Sequence, residues 1–84
     1  MNKKIYLIED DSAIIDIYET IIKKAQFDIE VISSGKEAIQ KVKKVVLDVS
    51  LKPDLVLLDL ILPDMNGVEV LREIRTNPET QSIK

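Results

Sequence analysis

The sequence predicts an α/β domain organised on a parallel sheet, and three observations carry that prediction. Short apolar runs alternate with stretches of helical period, in the order β-α-β-α-β-α. Two of those runs, residues 5–8 and 54–58, lead directly into carboxylates: Glu9-Asp10 after the first and Asp59 after the last. Breaks at Ser33-Ser34-Gly35, Lys52-Pro53 and Asn77-Pro78 separate the elements.

Residues 5–8, Ile-Tyr-Leu-Ile, form a short apolar strand stopped by Glu9-Asp10-Asp11. Ser12 is placed to cap the helix that follows. That helix puts Ile14, Tyr18, Ile21, Ile22 and Ala25 on one stripe, and Lys23 and Lys24 suit its C-terminal end. Residues 28–32 read as a second strand, and Ser33-Ser34 as the cap of a second helix. That helix is predicted over 36–47, where Ala38, Ile39, Val42, Val45 and Val46 keep a 3.6 period. Residues 48–52 stay open, because Val45, Leu47, Val49 and Leu51 also alternate with period two. Lys52-Pro53 is a boundary, since the residue before a proline disfavours helix. Residues 54–58 read as a strand buried on both faces, apolar after Asp54. Val68, Leu71 and Ile74, with Arg75 and Thr76, make a third helix that Asn77-Pro78 ends. Residues 81–84 are too few to assign.

Composition narrows the function. A chain of 84 residues is one small domain, able to bury only about 60–65% of its unfolded surface. Its 45% apolar and 32% charged content is that of a folded protein, and its net charge of −3 argues against direct nucleic-acid binding by this segment. With no cysteine and no histidine, thiolate or imidazole metal sites, a Ser-His-Asp triad and a histidine base are all excluded. No apolar run approaches a membrane span, and the one after Lys3-Lys4 is too short for a signal peptide. The expectation is a cytoplasmic protein with no membrane partner.

The acids at the strand ends carry the chemistry. In the 2-1-3 order of a flavodoxin-like parallel sheet, strands one and three are neighbours, so Glu9, Asp10 and Asp59 converge on one rim. Unpaired, three such charges repel, and a divalent cation resolves the conflict. Mg²⁺ suits the site, taking oxygen ligands and pairing one or two carboxylates with a phosphate. Beside it a carboxylate such as Asp59 can attack phosphorus and become an aspartyl phosphate. Pro63 and Gly67 shape the loop around Asp59, the proline by stiffening a turn and the glycine by allowing positive φ or a close backbone approach. Asp11 and Asp64 read as solvated loop acids, and Met65 as packing against the sheet.

These residues together resemble the receiver domain of two-component response regulators. The match runs through the strand before Glu9-Asp10, Gly35-Lys-Glu-Ala38, Lys-Pro-Asp54 and, most specifically, the stretch from Asp59 through Pro63 to Gly67. The resemblance implies that Asp59 is the phosphoacceptor. Asp10, Asp59 and the backbone carbonyl of Ile61 would bind Mg²⁺ directly, with Glu9 acting through water. The phosphodonor would be a phosphohistidine on a sensor histidine kinase or histidine phosphotransfer protein. The chain would be a switch and not a turnover enzyme, regulating an output domain not visible in this sequence.

The chain also departs from the family pattern. Gln26 stands where a glycine often ends the first helix. The remainder of a five-stranded, doubly wound fold is missing, so residues 1–84 are read as the N-terminal part of a receiver, truncated after its third helix. The Ser or Thr and the Lys that complete the family's switch have no counterpart: Thr80, Ser82 and Lys84 come too early. Strand three is expected to be an exposed edge, and the 84 residues alone to be weakly folded. The alternative is a receiver-like interaction module that works without phosphorylation.

Overall fold

The computed structural model describes residues 2–84. β1 (Lys4–Ile8), β2 (Asp28–Ile32) and β3 (Leu55–Leu58) form a parallel sheet in the order β2-β1-β3. α1 (Ser12–Lys24) and α2 (Gly35–Leu47) connect them, and α3 (Gly67–Thr76) follows β3. The predicted class, strand order and element sequence are those observed. The open stretch after α2 is a short 3-10 turn, Val49–Leu51. Asp48 caps that turn by accepting from the Ser50 amide at 3.1 Å.

Central position decides which strand is buried on both faces. Ile5, Tyr6, Leu7 and Ile8 of β1 are all buried, whereas all four residues of β3 are half-buried. The expectation of a doubly buried third strand is therefore corrected: that environment belongs to β1, which has a strand on each side. β3 is also one residue shorter than predicted. Asp54 instead ties its start to β1, accepting at Oδ2 from the Lys4 amide at 2.8 Å while its own amide donates to the Lys4 carbonyl at 2.8 Å.

The main core lies on one face of the sheet. Tyr6, Ile8 and Ile32 meet Ala38, Val42 and Val45 of α2 and Val70 and Ile74 of α3, with Leu62 and Ile83 closing the cluster. α1 covers the other face thinly. Of the predicted stripe only Ile22 is buried, and Ile14, Tyr18 and Ile21 are exposed. The helix lies against β2, so Ile14 and Tyr18 border an open groove over Leu7 and Leu57 of β1 and β3.

Helix ends explain two further differences. Asp11, not Ser12, caps α1: its Oδ1 accepts from the Ala13 and Ile14 amides at 2.9 and 3.1 Å. At the other end Gln26 adopts φ 67°, its amide donating to Lys23 and that of Phe27 to Ile22. This is the left-handed helix terminus that glycine occupies without strain.

Residues 77–84 are folded against α3 and β3. Thr80 is fully buried and its hydroxyl donates to the Ile74 carbonyl at 2.7 Å. Arg75 Nη1 donates to the carbonyls of Gln81 and Ile83, both at 2.6 Å. The Val56 amide donates to the Lys84 carbonyl at 2.7 Å. The edge of β3 thus has a partner at Val56, where an unpaired edge was expected.

Candidate functional site

The parallel ladder delivers the acids to the rim. Ile8 is in register with both Ile32 and Leu58. One residue further on, the Glu9 amide donates to the Ile32 carbonyl and the Asp59 amide to the Ile8 carbonyl, each at 3.0 Å. Glu9 and Asp59 therefore leave the sheet side by side, held by main-chain bonds on neighbouring strands. Each of Glu9, Asp10 and Asp59 offers a carboxylate oxygen, and the three oxygens lie within 4.8 Å of one another.

The three carboxylates sit in different surroundings. Glu9 is buried, at 7% exposure, while Asp59 is half-buried and Asp10 exposed. Burial pushes the Glu9 carboxyl above its ordinary range, and neighbouring Asp59 adds to the rise. Two backbone amides oppose it, those of Asp10 and Asp11 donating to Glu9 Oε2 at 3.1 and 3.3 Å. Asp59 Oδ1 accepts from the Ile61 amide at 3.0 Å, which turns the chain sharply after β3. An open pocket lies over the cluster, lined by these acids with Asp11, Ile14, Ile61, Leu62 and Pro63. Among the described residues no lysine or arginine lines it. Oxygen-only donors of high charge density, with repulsion that burial intensifies, fit a hard divalent cation of the Mg²⁺ type.

The loop residues fall where their chemistry is useful. Ile61 projects its side chain into solvent and forms an isolated bridge with Asn66, closing the loop on itself. Pro63 lies in the loop's exposed outer part. Gly67 opens α3 with its amide donating to the Leu60 carbonyl at 2.8 Å. Its φ is not positive. The requirement there is close approach, because a Cβ would stand 2.4 Å from the Asp59 carbonyl oxygen. Thr80 and Lys84 are not among the residues lining the acidic pocket.

Three residues have roles that sequence reasoning missed. Asp11 is a helix cap, as described above, and Asn66 caps α3 by accepting from the Val68 amide at 2.9 Å. Both were open to discovery, since each precedes an apolar-periodic run at cap spacing. Asp64 is an exposed loop acid, as expected, but it is also tied to a distant element. Its two oxygens accept from the Gly35 and Lys36 amides, at 2.8 and 2.9 Å. No local signal could show that, because the partners are 29 and 28 residues away.

A family model described as the response regulator receiver domain matches residues 5–84. The DNA-binding response regulator MtrA of Mycolicibacterium paratuberculosis is 36% identical over 77 residues, covering 92% of this chain and 32% of that protein. Among solved structures, the phosphorylated cyanobacterial phytochrome response regulator RcpA superposes with a TM-score of 0.86 at 33% identity, covering 99% of this chain and 61% of that one. The Mn²⁺-bound form of response regulator Rcp1 superposes with a TM-score of 0.83 at 31% identity, covering 96% and 60%. The chain spans about a third of the length of the curated relatives it matches.

Proposed function

We propose, since this chain belongs to the response regulator receiver family, that Asp59 accepts a phosphoryl group with a divalent cation, Mg²⁺, held at the acidic rim. The observation that carries the reading is the convergence of three carboxylate oxygens within 4.8 Å at the ends of β1 and β3. A free oxygen of Asp59 attacks phosphorus of a phosphohistidine on a sensor histidine kinase or phosphotransfer protein. The P–N bond breaks, the imidazole leaves and takes up a proton, and Asp59 becomes a mixed anhydride. Asp10, Asp59 and the Ile61 carbonyl would hold the cation, and Glu9 would hold its water. When bound, the cation neutralises the acids and the charge of the transferring group.

The chain's own residues supply position. The Ile61 amide engages Asp59 Oδ1 and leaves the other oxygen for attack. The ladder bonds at Glu9 and Asp59 keep the carboxylates in place as charge accumulates. The family consists of switches, and phosphorylation here would bias two conformations that a partner distinguishes. That MtrA is DNA-binding supports an output of that kind for a longer protein of this type. Rcp1 in its Mn²⁺-bound form and RcpA in its phosphorylated form support the cation and the modification. Among the described residues no helix is long and apolar enough to cross a membrane, in keeping with encounters in solution.

The test is intact-mass spectrometry after incubation with Mg²⁺ and a small-molecule phosphodonor. Gain of one phosphoryl mass in the parent, abolished in Asp59→Asn and by chelation, is the expected result. An unmodified parent overturns the reading and favours an interaction module that needs no phosphate; equal modification of Asp59→Asn overturns it by placing the phosphoryl group on another residue.

A further inference from the structure

The loop between β3 and α3 is fastened at two places. Its base is closed on itself by the Gly67 amide donating to Leu60 and by the Ile61–Asn66 bridge. Its outer part is fastened to a different element. There Asp64 Oδ1 accepts from the Gly35 amide at 2.8 Å and Oδ2 from the Lys36 amide at 2.9 Å. Met65, next in the chain, packs over Gly35 so closely that a Cβ there would meet its Cγ and Sδ. The paired amides at the N-terminus of α2 hold the Asp64 carboxyl below its ordinary value of 3.8, as expected for an anion at that end of a helix.

α2 has a cap of its own. Ser34 Oγ accepts from the Glu37 amide at 3.2 Å. The two bonds to Asp64 therefore do more than finish a helix end: they anchor the loop. Ile61 in the base, and Leu62 and Pro63 between it and the anchored tip, line the acidic pocket. Ile61 is the sensitive member, because its amide fixes Asp59 Oδ1.

We propose that Asp64 is a positioning residue for the acidic site: by pinning the loop tip to the start of α2, it holds the Ile61 backbone against Asp59 and thereby sets cation affinity. The inference rests on the cation-assisted phosphoacceptor reading above. Asp64 touches neither the cation nor the phosphoryl group. Its effect passes through the loop and acts on affinity more than on the chemical step. Glu9 and Asp59 follow directly on the ends of β1 and β3, where main-chain bonds hold them without Asp64, whereas the Ile61 carbonyl lies on the loop that Asp64 restrains.

The experiment compares parent, Asp64→Ala, Asp64→Asn and Ser34→Ala. Mg²⁺ affinity is read by calorimetry, and the initial phosphorylation rate is followed across Mg²⁺ concentration. Asp64→Ala should weaken Mg²⁺ binding by about tenfold, the scale typical of residues that orient a metal's ligands. Its rate should fall at low Mg²⁺ and recover at saturation. Asp64→Asn keeps one acceptor oxygen, should fall between, and carries the test if the alanine variant does not fold. Ser34→Ala removes the cap from the same helix and should lower the unfolding temperature with Mg²⁺ affinity unchanged. Parental affinity in both Asp64 variants overturns the proposal, as does equal weakening by Ser34→Ala. If the parent itself binds no Mg²⁺, the phosphoacceptor reading fails and this inference falls with it. Parental binding with unaffected Asp64 variants overturns this inference alone.

Discussion

Gly67→Ala should be the most damaging single-methyl change at the rim. An added Cβ would stand 2.4 Å from the Asp59 carbonyl oxygen, 2.7 Å from Leu60 Cα and 3.2 Å from the Asp59 carbonyl carbon. All three are backbone atoms of the segment that carries Asp59. Ordinary contact begins near 3.4 Å, so the start of α3 and the end of β3 must separate by about 1 Å (3.4 − 2.4). That movement also stretches the 2.8 Å bond from the Gly67 amide to Leu60 out of range. Overpacking of this kind costs about 1–3 kcal/mol and the lost bond about 1 more. The sum, about 2–4 kcal/mol, is a large share of the roughly 4–13 kcal/mol a domain of this size commands. Urea unfolding followed by circular dichroism measures it, with Gly35→Ala as the internal reference. At Gly35 the obstruction is side chain and not backbone, Met65 from Cγ outward, so it can yield by a change of Met65 rotamer without moving the main chain. Gly35→Ala should therefore cost less than Gly67→Ala, its repacking of Met65 partly offset by improved helix propensity. Phosphorylation should separate the two variants further, since a misplacement of about 1 Å can cost about 100-fold in rate. A Gly67→Ala protein within about 0.5 kcal/mol of the parent, or a Gly35→Ala protein equally damaged, would refute the close-approach argument.

Three other outcomes follow from the same geometry. Gln26→Gly relieves a left-handed residue at φ 67° and should stabilise the fold by about 0.5–1 kcal/mol, seen as a higher urea midpoint at unchanged m. Thr80→Val keeps the shape of a fully buried side chain but strands the Ile74 carbonyl that the hydroxyl serves at 2.7 Å; a loss of about 1–3 kcal/mol is expected in the same assay. Glu9→Gln should raise the unfolding temperature of metal-free protein near neutral pH. Because burial and Asp59 raise the folded-state pKa of Glu9, its ionisation opposes folding. The parent should therefore gain on the variant as pH falls through that raised pKa, and Mg²⁺ should stabilise the variant less than the parent.

The fold was legible because its signals are local. Apolar runs of strand length, helical stripes and proline or glycine breaks mark elements within a few residues of where they form. The strand order needed one further step, the placement of β3 beside β1, which alternation alone does not give. What stayed hidden was set by contacts between distant segments. The stripe of α1 was visible, yet its sequence could not show that Ile14, Tyr18 and Ile21 remain exposed beside a groove. Asp64 looked like any loop acid because its amide partners arrive from α2. Residues 81–84 had no pattern to read, since a guanidinium on α3 and an amide on β3 fix their backbone.

The acidic cluster lies between these cases. Each acid is only a charge at a strand end, and nothing within ten residues of Glu9 points to Asp59. Their meeting follows from register. In a parallel pair the ladder runs evenly, so matching Ile8 to Leu58 commits the next residue of each strand to be neighbours. The main chain makes that commitment, through the Asp59 amide on the Ile8 carbonyl and the Glu9 amide on the Ile32 carbonyl. Side-chain attraction contributes nothing to it, because the three carboxylates repel. The sheet therefore holds like charges together against their own electrostatics, and Glu9, the most buried of them, carries the penalty as a raised pKa. A cation bound there relieves that penalty without having to build the site. The loop is held differently: ladder bonds fix the main chain at Glu9 and Asp59, whereas the backbone beyond Asp59 is restrained by the turn at Ile61, by the loop's own closure through Asn66 and Gly67, and by the anchor at Asp64.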